Sequence, residues 1–195
     1  GVGNLSSIYQ AFEKFDVKVS FAKNSRDLKN ADQLILPGVG AFSSAMFKLE
    51  SLDLVEPIKR FASSGKNILG ICLGMQILFD KSFEFGEHEG LSLIEGNVEK
   101  IMYQEGYKIP NISWSSLNIN SKDHNLFNNI NENDAFYFVH SFTAKPKNVE
   151  KNLATCKFGD QNLCAIAGYE NVIGTQFHPE KSGKKGLSLI RNWLN

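Results

Sequence analysis

Apolar positions recur along the chain with two different periods, and the change of period divides it in two. In "NLSSIYQAFEKF", residues 4–15, Leu5, Ile8, Phe12 and Phe15 fall at helical spacing behind Asn4, a good N-cap residue, which predicts an amphipathic helix. "VKVSFA" at 17–22 alternates with period two and predicts a strand. "ADQLILPGVG" at 31–40 then carries a short apolar strand into a Pro-Gly loop. A helical region follows through "FKLESLDLVEPIKRFASSG", with Pro57 opening its second part and Gly65 closing it. Next come the strand "NILGI" and a helix over "LGMQILFDK", 73–81. This alternation predicts parallel βαβ units, with helices on both faces of a mostly parallel sheet.

From about residue 97 the texture changes. "NVEKIMY", "YKIPNISW", "AFYFVHSFTA", "NLATCKFG", "LCAIAGYEN" and "VIGTQFH" are short strand candidates between turn-rich stretches. Several are expected to pair antiparallel as an extension of the central sheet. A last helix, "KKGLSLIRNWLN", carries Leu187, Ile190, Trp193 and Leu194 on its buried side. The chain opens at "GVGN", a loop-to-helix junction, where an α/β domain first supplies a strand. The expectation is one domain over residues 1–195 that lacks that first strand, so that the sheet is one member short or has a false edge.

A chain of 195 residues with 42% hydrophobic and 22% charged residues is long enough, and ordinary enough, to bury a globular core. Net charge is zero and no basic run occurs, so no nucleic-acid partner is expected. No apolar segment is long enough to span a bilayer, and the start does not resemble a signal peptide. Three cysteines, Cys72, Cys156 and Cys164, lack metal-ligand spacing, so no metal or other cofactor is expected. Cys156 and Cys164 lie in short apolar runs and are predicted to be buried strand residues. This usage fits a reducing, cytoplasmic compartment.

The chemistry concentrates in "NILGICLGMQILFD", residues 67–80. An apolar strand reaches Cys72 and turns at once into a helical pattern, with Gly70 and Gly74 allowing the backbone to crowd close. Such an elbow lifts one side chain out of the fold near a helix N-terminus, where a thiolate is favoured. G-x-C-x-G is then a nucleophile elbow with sulfur in place of oxygen. A buried structural cysteine at a strand end explains the pentapeptide equally well. A nucleophile needs a base, and there are four histidines. His88 and His124 stand in polar surroundings and are expected at the surface. His178 ends the apolar run "VIGTQF" and precedes Pro179 and Glu180. In extended chain, residues i and i+2 point to one side, so Glu180 can hold the His178 imidazole in the tautomer a base requires.

"PGVG" at 37–40, "GICLGMQ" at 70–76, "YFVHSF" at 137–142 and "GTQFHPEKS" at 174–182 resemble the class I (triad) glutamine amidotransferases, in the right order over nearly the whole chain. "GVGN", "PGVGAF" and "FYFVHSF" are most similar to the glutaminase subunits that serve a (β/α)8-barrel cyclase making imidazole glycerol phosphate in histidine biosynthesis. The resemblance implies a flavodoxin-like α/β domain with Cys72 as nucleophile, His178 as general base and acid, and Glu180 as its orienter. It implies an oxyanion strand of Gly38, Val39 and Gly40, with the Leu73 amide as second donor. Gln76, His140 and Ser141 are implied in the pocket for L-glutamine, the last two mainly through backbone, and Lys181 at the rim facing the barrel subunit of a heterodimer.

"IPNISWSSL" at 109–117 departs from the family's Pro-His-x-Gly-Trp-Asn. Asn111, Ser113 and Ser115 replace the His, Gly and Asn, while Pro110 and Trp114 remain. In the family this segment lies near the partner, which leaves room for a paralogous glutaminase feeding another barrel, such as one that aminates a sugar nucleotide. A cysteine peptidase or DJ-1-like thiol protein has no need of "PGVG" and "YFVHSF". A non-catalytic homologue has no need of Cys72, His178 and Glu180 together.

Overall fold

A computed structural model describes the backbone of residues 2–195 and the side chains of residues 5–195. The chain runs α1 (Val2–Glu13), α2 (Ser25–Lys29), β1 (Leu34–Gly38), α3 (Phe42–Ser51), α4 (Val55–Ser63), β2 (Ile68–Cys72) and α5 (Leu73–Gln76). It continues through β3 (Phe79–Ser82), β4 (His88–Glu89), β5 (Ile94–Lys100), β6 (Asn111–Ser116), β7 (Asn118–Ile119), β8 (Ala135–His140) and β9 (Phe142–Pro146). Last come β10 (Asn152–Phe158), β11 (Gln161–Tyr169), β12 (Val172–Thr175), a 3-10 turn (Pro179–Lys181) and α6 (Gly183–Leu194).

The central sheet has the order β1-β2-β12-β11-β10-β7. β1, β2 and β12 run parallel, and β11, β10 and β7 extend them antiparallel. The register pairs Gly38 with Cys72 and Ile71 with Thr175, so three parallel strands end together along one edge. That edge is where α/β sheets present their functional loops. Successive residues of β2 point to opposite faces. Leu69 belongs to one buried cluster with Ile8 and Phe12 of α1 and Leu189 and Trp193 of α6, while Ile68 belongs to another with Phe42, Ile58, Phe61 and Phe79. Helices therefore cover both faces of the sheet.

Pro57 is the third residue of α4, where its missing N–H costs no intrahelical bond, and Gly65 ends that helix at φ +78°. Helix α1 begins ahead of Asn4, whose side chain lies outside the described residues, so its expected capping role has no structural account. The buried face of α6 is centred on Leu189, Ile190 and Trp193, with Leu187 and Leu194 at its margins.

Several expectations are corrected. Residues 17–22 form no strand: Val17 and Val19 are half-buried in alternation, but no neighbouring strand among the described residues gives them a ladder. The pattern reported burial on one side, not pairing. The helix expected over 73–81 is a single turn. The carbonyls of Ile77 and Leu78, which would continue it, accept instead from the amides of Leu91, Leu93 and Ile94. The chain is drawn into β3. Several later strands do extend the central sheet antiparallel, as expected; of the others, β4-β3-β5-β9 form a second sheet, and β6 and β8 form a separate ribbon. Burial explains the partition. β10 and β11 are buried along most of their length, as covered central strands must be, whereas β6 and β8 alternate between more and less buried positions. The run expected over 135–144 breaks at Ser141, between β8 and β9.

Candidate active site

At the end of β2, Cys72 has φ 56° and ψ −109°, a backbone conformation that non-glycine residues rarely occupy. The turn into α5 is held there by close packing. A Cβ on Gly74 would lie 1.6 Å from the Leu36 carbonyl oxygen, and one on Gly70 would lie 2.5 Å from that of Gly74. The elbow does not lift Cys72 out of the fold as expected. Only 8% of the residue is exposed, because the ribbon passes over it and puts the Val139 carbonyl oxygen 3.9 Å from Sγ.

His178 is 1% exposed. Its backbone N–H donates to Tyr137 O at 2.9 Å, and its carbonyl accepts from Ser182 Oγ at 2.6 Å. The same hydroxyl accepts from the Tyr137 N–H at 3.0 Å, so one side chain fastens β8 to the histidine loop. Nδ1 of His178 lies 2.8 Å from Glu180 Oε1, and since an ionised carboxylate only accepts, Nδ1 carries the proton. The contact arises from a different geometry than the extended chain expected: Pro179–Lys181 is a 3-10 turn that folds Glu180 back beneath the ring. Burial alone pushes the His178 pKa down, but hydrogen bonds and charge attraction from Cys72 and Glu180 outweigh it, leaving the value raised to about 9. Glu180 Oε2 is buried without a hydrogen-bond partner among the described residues.

The remaining candidates gather along the same edge. Gly38 is the last residue of β1, and a Cβ built on it would lie 3.0 Å from Cβ of Leu73. Val39 is exposed, and Gly40 has φ +103°. Gln76 is buried and donates from Nε2 to Phe142 O at 3.2 Å and to Gln176 Oε1 at 3.0 Å. His140 is buried, with Nδ1 2.7 Å from Phe142 O and Nε2 3.1 Å from Asn111 Nδ2. Burial holds its pKa down at about 4. Ser141 links β8 to β9, its carbonyl accepting from the Ile101 N–H at 3.0 Å. Lys181 is exposed at the end of the 3-10 turn.

Along β6 the departing residues Asn111, Ser113 and Ser115 point inward, and Ser113 and Ser115 hydroxyls meet at 2.8 Å. Ile112 and Trp114 point outward, with Trp114 stacked at a tilt on Tyr137, itself 6.4 Å from the His178 ring. Sequence reasoning missed Gln176, wholly buried with Nε2 3.8 Å from Cys72 Sγ. Its one signal was a place two residues before His178 in a quoted motif.

Elsewhere, Cys156 and Cys164 are buried and burial pushes both thiols up, Cys156 to about 12. His88 is half-buried on β4. His124 is also half-buried and, beyond the surface placement expected, its Nδ1 caps a 3-10 turn by accepting from the Leu126 N–H. Among the described residues no group of three or more His, Cys, Asp or Glu converges as a metal site, and no helix is long and apolar enough to cross a membrane. A thiol, an imidazole against it and a carboxylate holding the far ring nitrogen are the parts of covalent nucleophilic catalysis.

Residues 1–195 match the family described as Glutamine amidotransferase class-I. The chain is 47% identical over 202 residues to imidazole glycerol phosphate synthase subunit HisH 1 of Legionella pneumophila (strain Lens), covering 100% of this chain and 95% of that protein. To the HisH subunit of Aquifex aeolicus (strain VF5) it is 43% identical over 194 residues, covering 99% and 92%. Among solved structures, a crystal structure of glutamine amidotransferase shares the fold with a TM-score of 0.71 at 18% identity, covering 97% of this chain and 91% of that one. PurLQS from Thermotoga maritima does so with a TM-score of 0.64, at 18% identity and the same coverage. With its cysteine elbow, its buried imidazole–carboxylate pair and this full-length likeness, the chain belongs to the class I glutamine amidotransferases.

Proposed function

We propose that the chain is the glutaminase subunit of an imidazole glycerol phosphate synthase, releasing ammonia from L-glutamine for a (β/α)8-barrel cyclase with which it forms a heterodimer in the cytoplasm. The observation that carries the chemistry is the buried line from Cys72 through His178 to Glu180. Full-length likeness to HisH subunits supports the pathway. The Cys72 thiolate attacks the side-chain amide carbon of glutamine, and protonated His178 gives its proton to the departing ammonia. Water activated by His178 then hydrolyses the γ-glutamyl thioester, with Glu180 keeping the ring in one tautomer.

Backbone donors from the Gly38-Val39-Gly40 segment and the Leu73 amide hold the oxyanion. Such donors are worth about 3–4 kcal/mol each in comparable enzymes. Gln76, His140 and Ser141 shape the glutamine pocket. Ammonia that escapes into neutral water is protonated and lost as a nucleophile, so the second active site must be attached. The outward face of the β6–β8 ribbon, with Ile112 and Trp114 exposed beside the histidine, and Lys181 on the adjoining turn, is suited to seat the barrel. Asn111, Ser113 and Ser115 favour a paralogous partner less than they did as letters, because they point away from that face. The test is glutamate and imidazole glycerol phosphate formed from glutamine and the phosphoribosyl-formimino acceptor with the barrel present. Glutamate release without that product sends the ammonia elsewhere.

A further inference from the structure

The geometry points to Gln176 as a thiolate-stabilising residue, whose side-chain N–H donates to the Cys72 sulfur at the end of a hydrogen-bond relay polarised by one backbone carbonyl, that of Phe142. The inference rests on Cys72 being the nucleophile. A carbonyl oxygen can only accept. Phe142 O lies 2.7 Å from His140 Nδ1 and 3.2 Å from Gln76 Nε2, so both nitrogens donate to it. Along one branch, Gln76 Nε2 also donates to Gln176 Oε1 at 3.0 Å. With its oxygen accepting there, Gln176 turns its NH2 to Cys72 Sγ, 3.8 Å away.

The reverse orientation of the Gln176 amide would set two NH2 groups against each other and an oxygen against the sulfur. Solvent offers no escape, because the residue is 0% exposed and its backbone N–H is tied to Ala165 O at 2.8 Å. Along the other branch, a proton on Nδ1 leaves His140 Nε2 as acceptor for Asn111 Nδ2 at 3.1 Å. Burial keeps His140 neutral down to about pH 4, so this polarity persists across the working range. Asn111, one of the departures from the family pattern, thereby has a place in the relay.

A donor aimed at sulfur favours the charged thiolate over the thiol. It acts beside His178, which interacts with the same sulfur. The contact also restrains the sulfur, so its loss falls on kcat more than on KM.

Gln176→Met matches the side chain in length without a donor, and Gln176→Glu keeps its shape but puts oxygen against sulfur. Alkylation of Cys72 by iodoacetamide in the full chain, located by peptide mass, is followed against pH. The midpoint is expected to move up by about half a unit to one unit in Gln176→Met, and further in Gln176→Glu. In complex with the barrel cyclase, kcat is expected to fall about tenfold, with KM nearly unchanged. On the unaltered 15N-labelled chain, the Gln176 side-chain amide resonances should titrate with the alkylation midpoint and lose that transition in Cys72→Ala. An unchanged midpoint in both variants, even with reduced thermal stability, overturns the inference and leaves Gln176 a packing residue. Amide resonances that stay still through the Cys72 transition overturn it as well, and decide alone if neither variant folds. Alkylation and NMR need neither turnover nor partner, so absent glutaminase activity with a shifted midpoint would count against the proposed function only.

Discussion

His178 donates from Nδ1 to Glu180 and leaves its other ring nitrogen for the thiol, and the pH behaviour of the site follows from that pair. Its folded-state value of about 9 lies above the ordinary 6.5 of an imidazole, so protonation of His178 stabilises the native state. That contribution is complete below pH 6.5 and is lost as pH rises through about 9. In the proposed reaction the same proton is the one handed to departing ammonia. Glutamate release by the complex should therefore fall on the alkaline side near pH 9. Glu180→Gln should move this limb to lower pH and cost about tenfold in rate, less than the roughly 10²–10⁴-fold expected for His178→Ala. A limb that does not move in Glu180→Gln would mean the carboxylate has no hold on the ring. Cys72→Ala should abolish glutamine hydrolysis, while ammonium salts at high pH still support synthesis by the barrel. Because Cys72 is buried, the change should also cost about 1 kcal/mol of stability, readable in thermal unfolding.

At the scale of elements, the site depends on a few places where backbones touch. Helix α6 crosses the 3-10 turn so closely that a Cβ on Gly186 would lie 2.0 Å from the Pro179 carbonyl oxygen. That turn carries Glu180. Gly186→Ala should therefore cost about 1–3 kcal/mol and lower glutaminase activity by displacing the carboxylate. Full activity with reduced stability would separate the turn from the chemistry. Gly74 is tighter still, with the Leu36 carbonyl in the place a Cβ would occupy, so Gly74→Ala must shift α5 away from β1. Leu73 and Gly38 face each other across that contact, and the variant should lose activity even where circular dichroism shows a folded chain.

For the molecule as a whole, the exposed aromatic face beside the buried Cys72 and His178 is the surface the proposed second subunit would cover. Trp114 is 59% exposed, so Trp114→Ala should leave thermal stability within about 0.5 kcal/mol of the parent. Binding to the barrel cyclase, measured by calorimetry, should weaken tenfold or more, as loss of an aromatic anchor does. Unaltered binding would place the interface elsewhere. The lone chain should be a poor glutaminase, activated by the barrel and further by its acceptor. In the proposed mechanism, two glycines between Pro37 and Gly40 let the peptides around Val39 turn between presenting a carbonyl and presenting an N–H to the oxyanion. A partner shifts that balance only by its differential affinity for the two states. Gly38→Pro, which fixes φ and removes a donor, should suppress activation. A lone chain as fast as the full complex would exclude this mechanism.

Helix α1, strand β1, the helical region of α3 and α4, strand β2, the glycine-flanked elbow and the His-Pro-Glu tripeptide were legible in the letters, because each rests on neighbours within a few residues. Tertiary structure decided what depends on distant partners. The amides of residues 91–94 stopped the helix expected over 73–81 after one turn, and residues 17–22, with no paired neighbour among the described residues, are not a strand. Strands alike in composition were sorted into three sheets by which of their faces found cover. Cys72 was buried by β8, whose Val139 lies 67 residues further along the chain, rather than lifted out by its own turn. Gln176 reached the sulfur across 104 residues of sequence, a distance at which neither periodicity nor spacing carries information. Local sequence determined which residues are candidates for the chemistry. The packing of the ribbon over the sheet edge decided which of them share hydrogen bonds, because burial leaves a polar side chain only the partners the fold brings to it.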